Sequence, residues 1–163
     1  MRRTLLLTAI GVGLLAAVVV WSQSASGALS GPLKSHLQDE RFGIVTSIRG
    51  LPLTVRQELE KMFGTGTLDI AEPGAEFQRS GAGATAQLPS RRLVAAGCAP
   101  DNHCLMYYER GGSSPVWHVM LFQWTPDATR FEWGGTAPGG LKTIDEVKKA
   151  VLSGTIKSHT GPW

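Results

Sequence analysis

The stretch CAPDNHC at residues 98–104 contains both cysteines of this 163-residue chain. Pro100 fixes one backbone φ at about −65°, and the Asp-Asn pair after it accepts turn conformations at low cost, so the stretch favours a tight turn. Strand-like apolar sequence precedes it at residues 91–96 and follows it at residues 105–110. We therefore predict a loop that two strands present at one end of a small sheet.

The two cysteines are expected to form a disulfide that closes this loop. A bond between Cys98 and Cys104 would stabilise the fold by about 2 kcal/mol in the chain-entropy model and would hold the loop in one conformation. Zinc bound by both cysteines and His103 is the weaker alternative, because His103 and Cys104 are adjacent and no CxxC spacing is present. We expect no metal and no cofactor.

The N-terminus has the pattern of an export signal. Arg2 and Arg3 precede an apolar run at residues 5–21, and small and polar residues follow at 22–28. This order is typical of a secretory signal peptide, with Ser-Gly-Ala at residues 26–28 as the cleavage site. An uncleaved membrane anchor is the alternative, since the run approaches the length of a membrane span. Both place the rest of the chain in the periplasm or outside the cell, where a disulfide persists.

Charge and length limit the kind of partner and the number of domains. The chain has 16 Lys and Arg and 13 Asp and Glu residues, so removal of Arg2 and Arg3 leaves a net charge of +1. Without runs of basic residues, nucleic acid is not expected as a partner. About 135 exported residues suffice for one core. We predict a leader at residues 29–53, a single domain at 54–156 and a loose tail at 157–163.

The periodicity of the domain predicts an α+β fold. Strands are expected at residues 91–96, 105–110, 116–124 and 129–133, which makes an antiparallel meander of about four to five strands with helices packed on it. The strand at 116–124 has apolar residues on both faces, which indicates a central strand covered on each side. Capping boxes at Thr54–Gln57 and Thr143–Glu146 predict the starts of two helices.

The candidate site is the tip of the cysteine loop. We predict that Pro100, Asp101, Asn102 and His103 contact a protein partner, and that the loop tip exposes His103. His118 shares a face with apolar residues of its strand, so it is expected to be a hydrogen-bonded core residue. No nucleophile elbow, phosphate loop or carboxylate pair stands out, so we expect a protein that is not an enzyme and has no catalytic residues.

The chain resembles the Ivy family of periplasmic inhibitors of vertebrate c-type lysozyme. The resemblance extends over about residues 54–154 and rests on the signal segment, an amphipathic helix, the Cys-x-Pro…His…Cys loop, an aromatic-rich meander and a final helix. In that family a disulfide-closed loop, Cys-Lys-Pro-His-Asp-Cys, enters the lysozyme cleft, where its histidine contacts the catalytic carboxylates. Cys98, Pro100 and Cys104 match that pattern by position, and His103 supplies the same residue type.

The loop also departs from the family pattern. It is one residue longer, Ala99 replaces the lysine, and His103 stands directly before the second cysteine. The resemblance implies an exported inhibitor with c-type lysozyme as its partner, and a homodimer is left open. Two alternatives remain: a non-catalytic structural or interaction module of the bacterial envelope, and, least favoured, a metal-binding or enzymatic domain that uses His103.

Overall fold

The structure, a computed structural model, describes residues 28–80, 88–100, 102–159 and 162–163. Of the predicted signal segment it describes only Ala28, and Asp101 also lies outside the described residues. Within these ranges, no helix is long and apolar enough to cross a membrane. In chain order the elements are α1 (Gly31–Asp39), β1 (Gly43–Val45), a 3₁₀ turn (Ile48–Gly50), α2 (Leu53–Phe63), β2 (Arg91–Cys98), β3 (His103–Arg110), β4 (Val116–Trp124), β5 (Thr129–Ala137), α3 (Ile144–Ser153) and β6 (Lys157–Ser158).

The strands form one antiparallel sheet in which each strand pairs with the next along the chain. The four long strands β2 to β5 are the predicted meander, and the short β1 and β6 extend its two edges. Antiparallel neighbours need only short connections, so this order follows from the turns between the strands. The predicted α+β class is confirmed.

Helices cover both faces of the sheet. Alternation along β4 directs Val119 and Leu121 toward α1 and α3, and Met120 and Phe122 toward α2. All four side chains are fully buried, so β4 is the covered central strand that its sequence predicts. The α1 and α3 helices contact each other, which closes one face as a layer.

The two predicted capping boxes have different outcomes. Thr143 accepts a hydrogen bond from the Glu146 N–H, and the Glu146 carboxylate accepts one from the Thr143 N–H, so α3 begins as predicted. The prediction that Thr54 is the N-cap is wrong, because α2 begins two residues earlier, at Leu53, with Pro52 as its N-cap. Thr54 is thus already inside the helix, and its hydroxyl accepts a hydrogen bond from Thr129 Oγ at 2.8 Å. Contact with β5 outweighs the local capping pattern.

Residues on either side of the predicted domain belong to the same body. The structure places residues 31–51 in the domain rather than in a separate leader: Leu37 of α1 is 1% exposed, and β1 pairs with the end of β2. At the C-terminus, β6 pairs with β5 rather than lying in a loose tail, and the ring of Trp163 lies 5.3 Å from that of Phe131.

Candidate functional site

The cysteine loop closes as the sequence predicts. Cys98 and Cys104 face each other as the last residue pair of the β2–β3 hairpin, and a disulfide joins them. Their Cα atoms are 4.1 Å apart. The bond therefore closes the hairpin at the last pair of residues in its two strands.

Backbone hydrogen bonds hold the loop inside the disulfide. The Ala99 N–H donates to the His103 carbonyl at 2.7 Å. Trp124, the last residue of β4, donates its indole N–H to the Ala99 carbonyl at 3.0 Å and its backbone N–H to the Asn102 carbonyl at 2.7 Å. Ala99 is buried as a result, whereas Pro100 is exposed and Asn102 is half-buried. The hydrogen bonds from Trp124 therefore hold the inner side of the loop and leave Pro100 exposed.

His103 is not at the exposed tip. It is the first residue of β3, pairs with Gln123 and is 4% exposed, so the expectation of an exposed histidine is wrong. The physical reason is alternation: His103 lies on the same sheet face as Leu105, which is the face that α1 covers. The carboxylate of Glu40 accepts hydrogen bonds from the His103 N–H at 3.2 Å and from Nδ1 at 2.8 Å.

Helix α1 brings a second histidine to this place. Glu40 is the C-cap residue of α1, and His36 precedes it by four residues, which is about one helical turn. The His36 ring meets the His103 ring edge to face, with centroids 5.3 Å apart. His36 Nε2 also lies 2.7 Å from Asn102 Nδ2. Glu40, His36 and the cysteine loop therefore form one connected polar cluster.

The cluster opens to a cleft of about 390 Å³. Charged groups at its border are already engaged: Arg130 Nε donates to Glu132 at 2.8 Å, and Arg130 also donates to the Gln123 side chain at 2.8 Å. Outside the lining, Lys148 of α3 donates from Nζ to the Glu40 carbonyl at 2.6 Å. The cleft is lined by Ser30, Pro32, Leu33, His36, Asn102, His103, Gln123, Arg130 and Glu132.

Sequence reasoning missed His36 and Glu40. Their spacing of four is the signal that could have found them, because a helix places such residues on one face. The segment around them is weakly patterned, and a leader was expected there. That Glu40 meets His103 depends on how α1 packs, which spacing does not encode.

A separate polar group lies under α2, near the C-terminus. His118 is 1% exposed, as expected of a core histidine, but its Nδ1 has no hydrogen-bond partner among the described residues. Its ring stacks on that of Tyr108 at 5.2 Å and meets the ring of His159 at 4.6 Å. Burial, reinforced by His159, Arg110 and Arg91, lowers the pKa of His118 to about 4, so this histidine is neutral near pH 7.

Comparison with known proteins adds no relative. No protein-family model, curated protein or solved structure matches this chain. What the site can do is therefore inferred from its own groups: a disulfide-braced loop with an exposed proline, and beside it two imidazoles and a carboxylate that converge.

Proposed function

We propose that this chain is an exported binding protein that presents the Cys98–Cys104 loop to a protein partner. The observation that carries the proposal is the bracing of that loop by the disulfide and by Trp124. A loop already fixed in one conformation loses little entropy on binding, so more of its contact energy appears as affinity. A disulfide persists best in an oxidising compartment, in line with the export signal expected at residues 1–28.

The first partner to test is a c-type lysozyme, to which the family resemblance points. In this chain His103 already donates to Glu40, so its imidazole is engaged within the fold. We therefore assign the contact with the partner to the outer residues of the loop, Pro100 and Asn102, and give His103 the role of holding the loop against α1. A net charge of +1 without Arg2 and Arg3 predicts weak electrostatic steering toward a basic lysozyme.

The test is a matched pair of proline variants in the exported, oxidised protein. Pro100→Ala changes the tip of the loop, and Pro115→Ala changes an exposed proline in the β3–β4 turn at the opposite end of the sheet. For both variants and for the unaltered protein, we compare the inhibition of c-type lysozyme. We also compare the Kd of the complex with lysozyme, measured by calorimetry. We expect Pro100→Ala to weaken binding by about tenfold, as at the centre of an interface, and Pro115→Ala to leave it unchanged.

Two results would overturn the proposal in different ways. Absence of binding at micromolar concentrations, with the disulfide intact, would reject lysozyme as the partner. Binding that both proline variants weaken equally, or that neither weakens, would show that the loop is not the contact surface.

A further inference from the structure

We propose that His36, Glu40 and His103 form a binding site for a divalent transition-metal ion of the Zn²⁺ class. Each of the three side chains offers one ligand atom, and these atoms lie within 4.8 Å of one another. They come from two separate parts of the fold, the end of α1 and the start of β3. The site lies beside the cysteine loop, which it touches through the contact between His36 and Asn102, and it does not require a protein partner.

The ligand types select the ion. Two imidazole nitrogens and one carboxylate are a set that holds Zn²⁺ with a fourth position left for water or another ligand. Calcium and magnesium prefer oxygen ligands alone, so a site with two imidazoles discriminates against them. The cysteines take no part, because Cys98 and Cys104 are bonded to each other. The zinc site considered from the sequence, with both cysteines as ligands, is therefore wrong.

Two of the three proposed ligands are buried, and the third is exposed to solvent. The side chains of Glu40 and His103 are each only 6% exposed, so they are held by the surrounding fold. His36 is exposed and borders the cleft of about 390 Å³, which provides a path for an ion. The third ligand therefore lies at the mouth of the site, next to the space that a fourth, exchangeable ligand needs.

Binding requires a small rearrangement of groups that now contact each other directly. Glu40 Oε2 and His103 Nδ1 are 2.8 Å apart and share a hydrogen bond. Two ligands on a tetrahedral Zn²⁺ with bonds of about 2.0–2.1 Å stand roughly 3.3 Å apart, so the ion separates this pair slightly and replaces its hydrogen bond. The Asn102 amide, now 2.7 Å from His36 Nε2, must also turn or move away if that nitrogen is the ligand.

The surrounding charges are compatible with a cation. Lys148 is directed to the backbone carbonyls of Gln38 and Glu40 rather than to the Glu40 carboxylate. Arg130, the cationic residue in the cleft lining, is paired with Glu132. A bound ion would fasten α1 to the cysteine loop and so stabilise the N-terminal part of the domain.

The experiment is a calorimetric titration of Zn²⁺ into protein freed of metal by EDTA and dialysis. We expect one ion per chain, with Mg²⁺ giving no heat of binding. His36→Ala is the informative variant, since His36 is exposed and its loss leaves the core intact. The matched control is His159→Ala, which removes a histidine outside the cluster. His36→Ala should weaken Zn²⁺ binding by at least about tenfold, and His159→Ala should not.

A spectrum identifies the ligands independently. Co²⁺ added in place of Zn²⁺ should give visible absorption of a four- or five-coordinate ion in the unaltered protein, and Glu40→Gln should change that spectrum. Absence of saturable Zn²⁺ binding below about 100 μM would overturn the proposal, as a site with three protein ligands binds far more tightly. Binding that His36→Ala leaves unchanged would also overturn it, by showing adventitious metal at another place.

Discussion

The carboxylate of Glu40 accepts two hydrogen bonds from His103, a residue 63 positions further along the chain. One comes from the backbone N–H and one from the imidazole. The Glu40 side chain therefore fixes both the backbone position and the ring orientation of His103. Because His103 directly precedes Cys104, this contact joins the end of α1 to the disulfide hairpin. The N-terminal helix and the cysteine loop are therefore parts of one structural unit.

Glu40→Ala should destabilise the protein strongly. Both side chains of the pair are 6% exposed, and removal of one partner leaves the buried polar atoms of the other unsatisfied. We expect the free energy of unfolding to fall by about 2–4 kcal/mol, measured by urea denaturation with EDTA present. Glu76→Ala, at an exposed position, is the control and should change it by less than about 0.5 kcal/mol. Equal effects of the two variants would contradict the role given to Glu40.

Reduction of the disulfide should loosen the loop without unfolding the sheet. The chain-entropy model gives about 2 kcal/mol for so short a ring, whereas the β2–β3 ladder continues from Cys98 back to Arg91. Urea denaturation with and without dithiothreitol measures the difference. A Cys98→Ala/Cys104→Ala variant should match the reduced protein and show no response to dithiothreitol. Loss of strand content in the far-ultraviolet spectrum on reduction would show that the sheet itself depends on the bond.

Because of His118, the free energy of unfolding should fall as the pH is lowered into the mildly acidic range. Its pKa is about 4 in the folded protein, lowered by burial and by His159, Arg110 and Arg91, whereas an unfolded histidine has a pKa of about 6.5. Between these values the unfolded chain binds a proton that the folded chain does not, so stability present above pH 6.5 is lost as the pH falls toward 4. We expect a loss on the order of 2–3 kcal/mol from this residue.

Two variants isolate that effect. His118→Leu should remove this part of the pH dependence, and it also removes the unpaired Nδ1, so stability near pH 7 should change little. Met120→Leu, at a buried residue of the same strand that has no titratable group, is the control and should leave the pH profile unchanged. Stability is measured by urea denaturation from pH 4 to 8 with EDTA present. A His118→Leu profile that parallels the unaltered protein would reject the assignment.

Gly97→Ala should be disruptive for a steric reason. A Cβ on Gly97 would lie 2.9 Å from the side chains of both Ile144 and Phe42, and 3.2 Å from the Gly43 carbonyl. Either α3 or the β1 segment must shift, which costs about 1–3 kcal/mol by analogy with overpacked cores. Gly31→Ala is the control, because nothing lies within 4 Å of its new Cβ. Thermal unfolding of the two variants should separate them by several degrees. Equal melting temperatures would contradict this packing.

Local sequence predicted the hairpin region well. The strands flanking residues 98–104 have apolar residues and turn signals close together, so their pairing needs no information from distant parts of the chain. The disulfide followed from the position of the only two cysteines, and the Thr143 capping box from four consecutive residues. Each of these features is determined within a short segment.

Features that depend on distant contacts were missed. His103 was assigned to the loop tip, since no local signal shows that β3 already begins there or that α1 covers that face. Thr54 has the spacing of an N-cap, but its hydroxyl is engaged by Thr129, 75 residues away. The weakly patterned residues 31–39 form a helix that buries Leu37 in the core, a contact that local sequence does not show. Tertiary packing therefore decided the residues around the site, and local propensity did not.

The measurement that tests the central proposal most directly is amide chemical-shift mapping of the oxidised, ¹⁵N-labelled protein during titration with a c-type lysozyme. The proposal predicts that the largest changes occur within residues 98–104, above all at the Asn102 N–H, and that amides of α2 on the opposite side of the sheet stay unchanged. Changes centred on α2, or an unchanged spectrum at saturating lysozyme, would contradict the assignment of the Cys98–Cys104 loop as the surface that binds this partner.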